Sequence, residues 1–131
     1  MYRKLTRFVY LSPLAALFVS TIVSAAADDM LVRTINHLLA YVEASNCVFI
    51  RNGKEHDSQE AAKHIKTKYD YFMVNIKTPE EFIEKAASKS VLGGQPYLVR
   101  CGDHLPISSA EWLTQELFSY RKALSHSTLA K

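Results

Sequence analysis

The chain has 131 residues, 48% of them hydrophobic and 22% charged, with four Gly and four Pro. That composition excludes a disordered, collagen-like or multidomain protein. The formal charge of +3 is misleading, because Arg3, Lys4 and Arg7 lie in the first seven residues and no acid precedes Asp28. From residue 28 onward thirteen bases face thirteen acids, and such a neutral chain has no broad field to hold nucleic acid or an anionic membrane.

The N-terminus has three parts. Met1 to Arg7 is basic, Phe8 to Val23 is apolar and uncharged, and Ser24-Ala25-Ala26-Ala27 offers small residues before the acidic pair Asp28-Asp29. This is the pattern of a secretory signal peptide, here residues 1–26 with cleavage after Ala26, leaving one domain over residues 27–131. The apolar run is sixteen residues and is interrupted by Pro13. It is thus short of the roughly 20 residues needed to span a bilayer, so no stable anchor is expected after cleavage; an uncleaved anchor is the alternative.

Export sets how the two cysteines, Cys47 and Cys101, are read. In an oxidising compartment two such thiols are more often paired than free, and they lie too far apart in sequence for a CxxC motif. A bridge would stabilise the fold by roughly 4 kcal/mol in the chain-entropy model. The rival is a free nucleophilic cysteine with His37 or His64 as base.

From Asp28 apolar residues recur at helical spacing, Leu31, Ile35, Leu38, Leu39 and Val42, with the acidic pair at the expected helix start and Ser45-Asn46 at its end. Cys47 to Arg51 and Lys54 to His56 are short extended runs around Asn52-Gly53, the signature of a type I′ hairpin. Asp57 and Glu60 then form a capping box for a helix carrying Ala61, Ile65, Tyr69, Phe72 and Ile76. Thr78-Pro79 with Glu81 opens a shorter helix with Phe82, Ile83, Ala86 and Ala87 on one face. Ser88 to Gly94 is a loop. Tyr97 to Cys101 and Leu105 to Ile107 form a second hairpin, and Ser108 with Glu111 caps a last helix through Trp112, Leu113, Leu117, Tyr120 and Leu124, followed by a frayed tail from Ser125. The two hairpin-plus-helix halves form a weak internal repeat. The fold class is α+β, with four helices after the signal-peptide helix packed on two short hairpins that share a small antiparallel sheet. Cys47 and Cys101 then fall at the opposed ends of neighbouring strands, which requires Cα atoms within roughly 4.4–6.8 Å.

Nucleotide loops, HExxH, GxSxG and EF-hand patterns are all missing from the sequence. No two of the five histidines share an i,i+4 face, so neither a metal nor another cofactor is implied. The acids Asp57, Glu60, Glu81 and Glu111 are explained by capping. What is left is cationic. His64 and Lys68 are one turn apart, flanking an apolar stripe, and Arg51 ends the strand leading into the same hairpin. Together with Ser88, Ser90 and Tyr97 they would suit a carboxylate or phosphate group.

Phe49-Ile50-Arg51-Asn52-Gly53, the run Glu60 to Tyr69, Ile76-Lys77-Thr78 with Phe82-Ile83, Ala87-Ser88 with Ser90, and Gly94-Gln95-Pro96-Tyr97-Leu98-Val99 together resemble a family of small exported bacterial proteins catalogued as a domain of unknown function. The resemblance runs from about Asp29 to Arg121. It departs at Gln95, where the family carries Lys. It implies a Gram-negative periplasmic setting without an activity, and its motif positions include Arg51, His64, Lys68, Ser88, Ser90 and Tyr97.

The resulting expectation is a non-catalytic binding or accessory module for an anionic small molecule or protein segment. Two alternatives stand beside it: a small envelope hydrolase with His64 as base and Ser88 or Ser90 as nucleophile, and a structural homo-oligomer.

Overall fold

The computed structural model describes residues 20–129 and has the expected α+β architecture, four helices and a four-stranded antiparallel sheet. In chain order the elements are α1 (Ser20–Ala44), β1 (Val48–Arg51), β2 (Lys54–His56), α2 (Ser58–Phe72), α3 (Pro79–Phe82), β3 (Leu98–Arg100), β4 (Ile107–Ser108) and α4 (Ser109–Leu129). The sheet order is β2-β1-β3-β4. The two hairpins therefore join through their first strands, which makes the hairpin-plus-helix halves symmetric about the β1–β3 pair.

Local chemistry explains the boundaries. Asn52 and Gly53 take φ of 51° and 75°, as a type I′ turn demands, and this turn fixes the register Arg51↔Lys54, Ile50↔Glu55 and Phe49↔His56. Asp57, Thr78 and Ser108 each accept a hydrogen bond from the backbone N–H three residues on, at 2.8, 3.1 and 3.1 Å. Glu81 returns the favour by accepting from Lys77 N–H at 2.6 Å. Asn46, at φ 53°, ends α1 in the left-handed conformation that stops a helix.

Phe49 and Val99 are paired across β1 and β3 and sit at 5% and 1% exposure in the core, while Val48, Ile50 and Leu98, which alternate with them, are half-buried. The helix-facing side of the sheet thus carries Phe49 and Val99. Against it pack Ile35, Leu38 and Val42 of α1, Ala61, Ala62 and Ile65 of α2, and Trp112, Leu113 and Leu117 of α4, with Phe82 among them. Cys47 and Cys101 form a disulfide with Cα atoms 4.4 Å apart, one position beyond the Val48↔Arg100 pair. Both thiols are consumed, so the free-nucleophile alternative does not arise.

Four expectations change. The described part of α1 begins at Ser20, so Asp28 and Asp29 lie inside the helix, where Asp29 pairs with Arg33 at 2.8 Å. α2 stops at Phe72 and tightens into a 3₁₀ turn over Met73–Asn75, so Ile76, expected on the α2 stripe, enters the core from beyond the helix. α3 widens into a π-helical stretch over Ile83–Ala87. The tail is helical to Leu129. The expected signal peptide, residues 1–26, lies mostly outside the described residues; its part from Ser20 is continuous with α1. Among the described residues, no helix is long and apolar enough to cross a membrane.

Candidate functional site

Three elements meet where β1 gives way to its turn. Side chains two apart on a strand share a face, so Arg51 lies on the same side as Phe49, facing the helices. The β1–β3 register pairs Ile50 with Leu98, and its continuation sets Arg51 opposite Tyr97. His56 joins the same face through its pairing with Phe49. α2 lies above, presenting His64 and Lys68, residues one turn apart that follow Ala61 and Ile65 into contact with the sheet. Ser109, the first residue of α4, is tied in by its N–H, which donates to the Tyr97 carbonyl at 2.8 Å.

These residues enclose a small cavity of about 20 Å³, lined by Phe49, Ile50, Arg51, His56, Ala61, His64, Ile65, Tyr97 and Ser109. That volume accommodates about one water or one oxygen atom. No carboxylate is in the lining; Glu60, which is not part of it, reaches His56 at 3.4 Å. The Ser109 hydroxyl is buried without a hydrogen-bond partner. Arg51 is half-buried and has no ion pair among the described residues.

Hydrogen bonds chain the other polar groups together. Lys68 Nζ donates to the Lys89 carbonyl at 2.6 Å and to Tyr97 Oη at 3.4 Å, and it lies 4.9 Å from the Tyr97 ring centroid. His64 Nε2 is 3.1 Å from Tyr97 Oη. Burial, followed by the charges of Arg51, Lys68 and His56, holds the His64 pKa down at about 4. The imidazole is therefore neutral at neutral pH, and Tyr97 Oη, which accepts from Lys68, has its hydrogen free to donate to Nε2 in the tautomer that leaves Nε2 unprotonated. Lys68 is itself displaced downward by burial and by the cations Arg51 and Lys89. Tyr97 is pushed up by burial, with Arg51 acting the other way.

Arg51, His64, Lys68 and Tyr97 are thus brought together as expected, and the two serines play different parts. Ser88 Oγ donates to the Ile83 carbonyl at 2.5 Å, closing the π-helical stretch, and the Ser88 carbonyl accepts from Tyr97 N–H at 2.8 Å. Ser90 Oγ donates to the Leu92 carbonyl at 2.8 Å. Neither hydroxyl is bonded to His64, so the Ser–His pair of the hydrolase alternative is not formed. Ser90 instead lines a wide groove of about 510 Å³ on the other side of Lys68, with Phe72, Asn75, Glu84, Lys85, Lys89, Val91 and Gly94.

Two members of the cavity escaped the sequence reading. His56 was implicit in the hairpin, since a two-residue turn at Asn52-Gly53 forces its pairing with Phe49. Ser109 precedes Leu113 and Leu117 at four-residue steps, so a polar residue on the core stripe was the available signal. His37, named as a possible base for a free cysteine, donates instead to Glu116 Oε1 at 2.6 Å and stacks on Tyr120 at 3.8 Å, clasping α1 to α4. Among the described residues there is no group of three or more His, Cys, Asp or Glu side chains that could hold a metal ion.

A small α+β domain with a disulfide and a basic, acid-free pocket is the class this geometry defines. The chain belongs to the family of unknown function DUF5329, whose model matches residues 30–121. It is also similar to the uncharacterized protein YfeK of Salmonella typhimurium (strain LT2), with 39% identity over 64 residues, covering 48% of this chain and 53% of the relative. The match therefore spans about half the length of that relative. No solved structure matches the chain.

Proposed function

We propose that the protein is a non-catalytic binding or accessory module of the bacterial envelope, exported by its N-terminal leader, that holds an anionic group of a small molecule or partner segment. The observation carrying this reading is the cavity itself: Arg51, His56, His64 and Tyr97 around the unpartnered Ser109 hydroxyl, with no carboxylate in the lining. Buried cations without counter-charges are unfavourable, and an oxyanion would offset them all at once. One ligand oxygen fits the enclosed space beside Ser109, and the rest of the ligand would lie outward toward Arg51 and Lys68. The bridge between Cys47 and Cys101 supports export, because disulfides persist in oxidising compartments.

The test is titration with acetate and with inorganic phosphate, followed by NMR of the histidine rings. Either anion is expected to raise the His64 pKa and to shift His64 far more than the exposed His104. Equal, weak shifts at both histidines would refute the proposal. Arg51→Gln is expected to abolish the response without unfolding the domain.

A further inference from the structure

We infer that Lys68 is a nucleophilic amine that captures a small carbonyl compound bearing an anionic group, as a reversible imine. The inference takes the ligand's charge from the anion-holding reading above, while the amine's reactivity stands on separate observations.

Lys68 is 8% exposed, yet it borders the 510 Å³ groove, which is wide enough for a small molecule. It has no carboxylate within ion-pair distance among the described residues. The groups around it are Arg51 from β1, His64 from its own helix, Tyr97 before β3, and Lys89 from the loop, with Glu84 and Lys85 further along the groove. A lysine desolvated beside other cations is the arrangement that makes an amine nucleophilic near neutral pH, and the downward displacement of Lys68 agrees with it. Two fixed acceptors, the Lys89 carbonyl and Tyr97 Oη, hold Nζ in place. Tyr97 also touches His64, which fixes the phenol that Nζ contacts.

The chemistry balances without a redox partner. The Nζ lone pair attacks the carbonyl carbon, an N–C bond forms, and the proton lost from nitrogen is matched by one taken up on oxygen, giving a carbinolamine. Loss of that hydroxyl together with the remaining N–H proton, as water, leaves the C=N bond. Lys85 and Lys89 line the groove and are the cations available to the ligand's carboxylate or phosphate. An acidic group beside an aldehyde or ketone, as in a 2-oxo acid, is the substrate class that suits both.

The experiment is reductive trapping of the intact protein with glyoxylate and cyanoborohydride at neutral pH, followed by peptide mapping. Each lysine is compared within one molecule, so no variant has to fold. Lys68 is expected to be labelled several-fold faster than the exposed Lys54 and Lys77. Labelling of Lys68 no faster than those two overturns the inference. Propionaldehyde, which has no charge, and acetate, which has no carbonyl, separate the two readings. A His64 response to acetate with no selective glyoxylate labelling sinks the imine and spares the anion site. Selective propionaldehyde labelling without any acetate response keeps the amine and removes the requirement for charge.

Discussion

Acidification should destabilise this fold earlier than carboxylate protonation alone would. His64 has a pKa of about 4 in the folded protein, first because it is buried and then because Arg51, Lys68 and His56 surround it; unfolded, it returns to about 6.5. Below pH 6.5 the unfolded chain binds a proton that the folded chain refuses. Stability is therefore complete above that pH, falls as the pH drops, and stops falling from this cause once His64 itself protonates near pH 4. Two and a half pKa units correspond to about 3 kcal/mol. Because His64 keeps some contact with water, roughly 2 kcal/mol is the expected loss. Urea unfolding of the protein and of His64→Gln at pH 7 and pH 4.5 isolates this term, and NMR titration of the imidazole gives the pKa directly. Titration of His64 near its ordinary value, or equal acid losses in both proteins, would show that the cluster is not a desolvated, uncompensated set of cations.

Arg51→Gln should move the His64 pKa back toward 6.5, since Arg51 is the largest charge acting on it, while changing the unfolding free energy at pH 7 by less than about 0.5 kcal/mol; a loss above about 1 kcal/mol in urea would reveal a structural partner. Reduction of Cys47–Cys101, 54 residues apart in sequence, should lower stability by about 4 kcal/mol through the freed loop, and a urea midpoint insensitive to reductant would contradict this. Ser109→Ala should leave the fold intact and raise its stability by about 1 kcal/mol, because the substitution removes a buried hydroxyl that has no partner; a fall in thermal midpoint would mean that the hydroxyl is satisfied in solution.

The parts of the fold that were legible in the sequence are those written in local chemistry. Asn52-Gly53 dictated a turn, and the turn dictated which residues of the first hairpin pair. Asp57, Thr78 and Ser108 announced three helix starts by the oxygen each offers to a backbone N–H. Termini governed by crowding between elements were less legible. The switch of α3 into a π-helical stretch depends on how Ile83, Ala86 and Ala87 seat in the core, which no local pattern records. The same division runs through the cluster. Arg51, His64 and Lys68 were found because basic residues stood beside apolar stripes. The role of Ser88 was not legible, because its hydroxyl reaches the Ile83 carbonyl only once the π-helical stretch has formed.

Taken for stability alone, this corner of the molecule is badly composed. Arg51 is half-buried with no ion pair among the described residues, His64 is held away from its charged form, and Ser109 has an unused hydroxyl, all around one small cavity, with Lys68, its charged form also disfavoured, beside it. Apolar residues of similar size would fill such a space at no electrostatic cost, and the rest of the core does so, with Phe82, Leu38, Leu113 and Val99 almost wholly enclosed. Some other cations do find carboxylates: Arg121 with Glu80, Lys66 with Asp70, Arg100 with Glu55. Arg51, half-buried, and Lys68, buried, have no such carboxylate partner among the described residues, which concentrates unfavourable terms at one place. Sequences that break the rules of stable packing tend to do so where they act, and here the violation has one sign. The uncompensated groups are the Arg51 guanidinium and the Ser109 hydroxyl, and the anion-holding role proposed above is the one that would relieve both.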